Sequence, residues 1–134
     1  MIQVNYLGIV VASVAAMGVG YAWYSNLMFG KRWMKLEGLS ENTMNKSGMG
    51  MKMGIMFLTT LISAYILSLF IHYGGAYTLF NGVKTGFWAW VGFVMPTGLA
   101  HHLFSRKPLE LFLIQTGHHL TAFLIMGGIL AWMW

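Results

Sequence analysis

A chain of 134 residues that is 57% hydrophobic and 8% charged is ill suited to water, since soluble domains carry about 25% charged residues. Eight basic and three acidic side chains cannot cover a globule of 15.0 kDa, so lipid is expected to cover most of it. The net charge of +5 would suggest nucleic acid in a soluble domain, but these cations fall between apolar runs and read as contacts with an anionic leaflet; the absence of cysteine excludes disulfides and thiolate chemistry.

A spanning helix needs about 20 mainly apolar residues, and four stretches supply them: 6–29, 53–73, 86–104 and 109–134. The expected fold is an all-α integral membrane protein, one domain over 1–134, with four transmembrane helices in an antiparallel bundle. No base precedes the first run and several follow it, the reverse of a secretory leader, so Met1 is expected to begin the mature chain. In this first span Gly8, Ala12, Ala16 and Gly20 recur every four residues, a smooth face about 18 Å long. Thr60, Ala64 and Ser68 offer a matching stripe on the second span, which makes an internal contact the simple expectation and a homodimer through the first helix the alternative.

The connection at 30–52 is more than linker. Phe29, Trp33 and Leu36 recur at helical spacing while Lys31, Arg32 and Lys35 take other faces, which predicts a short interfacial helix. Trp23, Tyr24, Lys31, Arg32 and Trp33, with Arg106 on a later connection, are expected to anchor at headgroup depth. Ser40 could cap a second short turn beyond Gly38. Met49, Met51, Met53 and Met56 crowd the entrance to the second span; thioethers suit Cu(I), but Met is also an adaptable apolar filler. His72, at the far end of that span, reads as interfacial.

Pro96 lies within the third span beside Thr97. It deprives the Gly92 carbonyl of its donor and predicts a kink. His118 or His119 of the fourth span lies at similar depth and could donate to that oxygen. Gln115, His118 and His119 share a helical face, which gives an intramembrane polar patch of Pro96, Thr97, Gln115, His118 and His119. His101 and His102 end the third span. The hairpin count sets them about 10 Å in depth from His118 and His119, too far for a shared zinc site and unfavourable for bis-histidine haem. As metal ligands His101, His102, Met49, Met51 and Met53 are weak candidates, and no cofactor is implied.

Pro108 and Glu110 suit the start of the fourth helix. Seven bases lie in the connections at 30–52 and 105–108, against one in the connection between the second and third spans. The positive-inside rule makes those two connections cytoplasmic and puts both termini on the opposite side. No Walker loop, zincin motif or nucleophile elbow occurs, and no mid-membrane carboxylate of the kind that drives small multidrug antiporters.

The run Trp23-Tyr24-Ser25, then Phe29-Gly30-Lys31 and Trp33, resembles the opening signature of a family of small bacterial membrane proteins known as a domain of unknown function, numbered 1761. Arg106, Pro108, Leu109, Leu111, Ile114, Gly117, His119 and Leu120 resemble its fourth-helix motif, with His118 where an aromatic is more usual. The resemblance covers nearly the whole chain. It implies four spans and a bacterial inner (plasma) membrane, and it carries no reaction.

The resulting functional expectation is a binding or assembly component of a membrane complex, in a lipid bilayer, as a homo-oligomer or attached to larger machinery. The alternatives are a small transporter or channel with a proton-sensitive histidine site, and a metal or haem carrier; an enzyme ranks last.

Overall fold

The computed structural model describes residues 4–38 and 48–134, all helix and turn. Ser40 and its expected turn lie outside the described residues. The first helix, α1 (Tyr6–Trp23), starts where the Asn5 side chain accepts from the Gly8 N–H at 3.1 Å. It stops before the apolar run does, because the chain folds back on itself: the Phe29 N–H donates to the Trp23 carbonyl at 3.0 Å and the Gly30 N–H to that of Ser25 at 2.9 Å.

From this turn leaves α2 (Gly30–Glu37), the expected amphipathic helix, ended by Gly38 at φ 76°. Lys31, Arg32 and Lys35 are exposed, and Trp33 and Leu36 half-buried. Next comes α3 (Met49–Gly74), closed by Gly75 at φ 64°. The Thr78 hydroxyl accepts from Asn81 N–H at 3.1 Å and starts α4 (Leu79–Ala89). A π turn at Trp90–Val94 leads into α5 (Met95–Leu103), and α6 (Leu109–Trp132) completes the chain. Pro108 precedes α6 as its cap, and Arg106 in the same turn has φ 59°.

Among the described residues three helices, rather than the expected four, are long and apolar enough to cross a membrane: Tyr6–Trp23, Gly50–Gly74 and Leu109–Trp132. The stretch expected as the third span, 86–104, is divided among the end of α4, the π turn and α5, none of which has the length alone. Pro96 is the physical reason. A proline lacks the N–H for the carbonyl four residues back and collides with it, and widening the preceding turn is one way out. Here the Met95 N–H reaches back to the Trp90 carbonyl and the Thr97 hydroxyl donates to the Phe93 carbonyl at 2.7 Å.

α6 is the central helix, touching all the others. α1 and the stretch from α4 to α5 run antiparallel to it, whereas α3 runs parallel, His72 at its end stacking on Trp134. The Asn5 amide donates to the Met133 carbonyl at one end of α1, and the Trp23 indole donates to the Ile114 carbonyl at 2.9 Å at the other. Along α4 and α5 the order is likewise reversed: Gly82 meets Gly127, the Trp90 indole donates to the Thr116 carbonyl at 3.0 Å, and His102 stacks on Phe112.

Small residues set these separations. Cβ atoms on Gly82 and Gly86 would lie 2.2 and 2.1 Å from the carbonyl oxygens of Gly127 and Phe123, so α4 and α6 cross backbone to backbone. The core beside this crossing is Ala12, Ala16, Ala64, Leu67, Ile71, Ala122, Met126 and Leu130. The small-residue stripe of α1 is used within the chain: Ala12 and Ala16 are buried, Gly8 faces Met133 and Gly20 faces His118. α6 thus takes much of the face that sequence matched to the second span.

Candidate functional site

The turn after α1 carries α2 back across the start of α6. Arg32 forks onto Glu110, its Nε 2.6 Å from Oε1 and its Nη2 on Oε2. The hydrogen bond and charge of Glu110 hold the guanidinium above its ordinary pKa. Both side chains are 47% exposed, so the pair fixes position more than it stabilises. At the other end of α2, Glu37 accepts from Gln115 Nε2 at 3.3 Å, while Lys107 Nζ lies 4.0 Å from its carboxylate and 3.4 Å from its carbonyl oxygen.

These contacts border a half-open cavity of about 380 Å³ between α2, α5 and α6. Glu37, Lys107, Gln115 and His119 give it polar groups of both signs, His101 and His102 face it from α5, and Ser105 from the turn that follows. Its inner wall includes Thr116, whose hydroxyl is buried and has no hydrogen-bond partner among the described residues. A buried hydroxyl without a partner is costly, and this one is not reached from the cavity, which Thr116 lines with its other atoms. The two indole bonds to Ile114 and Thr116 pin α6 from opposite neighbours at this level.

The expected polar patch divides. Gln115 and His119 line the cavity, whereas His118 turns to α1: its ring lies 5.3 Å from that of Tyr24 and its Nε2 would be 3.0 Å from a Cβ on Gly20. Pro96 and Thr97 are exposed. Among the described residues neither histidine hydrogen-bonds to the Gly92 carbonyl; the π turn absorbs the proline instead. His101, His102 and His119 share the cavity, but no group of three His, Asp or Glu side chains close enough to hold a metal occurs among the described residues. Met51 and Met53 are exposed, and the side chain of Met49 lies outside those described.

The residues expected as interfacial anchors are placed by the turn. Trp23 packs against Phe29 at 4.9 Å, and Tyr24 meets Trp33 at 5.3 Å. A Cβ on Gly30 would lie 2.3 Å from the Tyr24 carbonyl oxygen, so this position admits only glycine. Sequence reasoning missed Glu37 and Lys107 as cavity residues. The only available signal was the chance of a pair across the two connections.

The residues of this turn and of α6 are those in which the family resemblance was read. The model of a family described as a protein of unknown function (DUF1761) matches residues 7–131. The chain belongs to the DUF1761 family. No curated protein and no solved structure matches it. The DUF1761 match covers α1 through nearly all of α6 and therefore every wall of the cavity.

Proposed function

We propose that this DUF1761 protein crosses the membrane four times and binds a polar or amphiphilic ligand at its cytoplasmic end. The fourth crossing is the rod from Leu79 to Leu103, which at about 1.5 Å per residue exceeds the roughly 30 Å of hydrocarbon. Its start adjoins the C-terminal end of the chain, where the rings of Tyr77 and Trp134 lie 5.6 Å apart, and its finish adjoins Glu37 and Lys107. The positive-inside rule then makes α2 and the turn at Ser105–Pro108 cytoplasmic, with both termini opposite.

The observation that carries the binding reading is the cavity with polar side chains of both charge signs, Glu37 and Lys107, at its mouth. The assembly part of the expectation now rests on surfaces other than the Ala12 face, which the chain itself covers.

The native chain has no cysteine, so single cysteines can be labelled without background. A membrane-impermeant thiol reagent should modify Ser105→Cys and, more slowly, His119→Cys only from the cytoplasmic side, and Tyr77→Cys only from the other. Labelling of 77 and 105 from one side would remove the fourth crossing. A His119→Cys as unreactive as lipid-facing Leu113→Cys would remove the cavity.

A further inference from the structure

The polar cavity adjoins an apolar one. Val94, in the π turn, lines the cavity and also a groove of about 370 Å³ between α3 and the α4 rod. Ile62, Ile66 and Phe70 wall the groove on one side, Phe93 and Phe123 on the other, and Ser63 is its one polar residue. Measured along α5, Val94 lies roughly 14 Å from Leu103, whereas the polar interface on each side of a bilayer is about 5–8 Å thick. The cavity therefore begins at headgroup depth, beside Lys107 and Ser105, and ends within the hydrocarbon, where the groove begins.

Resting on the four-span binding reading above, we infer that cavity and groove together hold one phospholipid with a zwitterionic headgroup bearing a primary ammonium. Lys107 and Glu37 are the loosest ion pair described, 4.0 Å apart with side chains 41% and 27% exposed, so both charges are available to a ligand. A purely anionic headgroup would meet the Glu37 carboxylate and a purely cationic one the Lys107 ammonium. A zwitterion answers both, its phosphate on Lys107 and its N–H donors on Glu37, each a charge-assisted hydrogen bond. A quaternary ammonium has no N–H to give Glu37. Deeper in, an acyl chain passes Val94 into the groove.

Delipidated full-length protein in detergent, mixed with equimolar dioleoyl phosphatidylethanolamine, phosphatidylglycerol and phosphatidylcholine, tests this by native mass spectrometry. The phosphatidylethanolamine adduct should exceed each of the others by about tenfold, ~1.4 kcal/mol. Glu37→Gln should erase most of that preference, and Lys107→Gln should weaken binding of all three lipids. Ile66→Trp, at a lipid-exposed position, should fill the groove and lower retention without changing headgroup preference. Equal adducts that Glu37→Gln leaves unchanged would overturn the assignment. So would displacement of bound lipid by millimolar free phosphoethanolamine, which would make the ligand a soluble one. In either case cytoplasmic labelling of His119→Cys would still stand, so failure of the lipid assignment is distinct from failure of the cavity.

Discussion

Two backbone oxygens leave no room for a side chain at Gly30: its Cβ would lie 2.3 Å from the Tyr24 carbonyl oxygen and 2.7 Å from that of Ser25. Gly30→Ala must therefore open the turn that seats Trp23 on α6, and should cost about 1–3 kcal/mol. Gly18→Ala meets nothing within 4 Å and sits on an exposed helical surface, so it should be neutral or gain up to about 1 kcal/mol. Thermal melting of both variants in detergent checks the contrast, and equal melting temperatures would show that the turn does not constrain the fold. At this scale sequence revealed which residues form a motif but not what they do. Trp23, Tyr24, Phe29 and Trp33 were legible as interfacial aromatics, whereas the indole bond from Trp23 to Ile114 joins residues 91 apart. Glu37 and Lys107, 70 residues apart, were invisible as a pair for the same reason.

The helices were legible where an apolar run and a helix coincide, as in α3 and α6, and misjudged where they do not. Asn81, Lys84 and Thr85 look like connection, so the third span was begun at Gly86. Thr78 caps the helix earlier, and Lys84 settles with its ammonium 5.3 Å from the Phe80 ring centroid. That misplacement hid the pairing of Gly82 and Gly86, four residues apart on the face that meets α6. Pro96 announced a disturbance, but hydrogen-bond loss alone does not say whether a helix bends or widens into a π turn. The crossing makes its own prediction. With Gly127 backbone 2.2 Å from the added carbon, Gly82→Val should push α4 off α6 and cost at least about 3 kcal/mol. Gly54→Ala, with nothing within 4 Å, serves as the control, and the two are compared by thermal melting and by elution volume. A Gly82→Val protein as stable as the control would mean that the two backbones do not approach.

Closure of the bundle by its own ends is the property of the whole molecule that binds the rest together. α1 begins beside the end of α6, through the Asn5 amide and the Met133 carbonyl, and a chain whose two ends meet on one membrane face crosses an even number of times. Three apolar helices alone would separate the ends, so the contact and the Leu79–Leu103 rod stand or fall together. A Cβ on Gly8 would lie 3.5 Å from that of Met133, at the near limit of disulfide geometry. In a chain with no native cysteine, Gly8→Cys with Met133→Cys should oxidise to an internal crosslink in membranes, seen as a faster monomer band on a non-reducing gel and a loss of about 2 Da in intact mass. A crosslinked dimer instead would assign the contact to two copies. Free thiols under the same oxidant would place the ends apart, and an odd number of crossings would then be allowed.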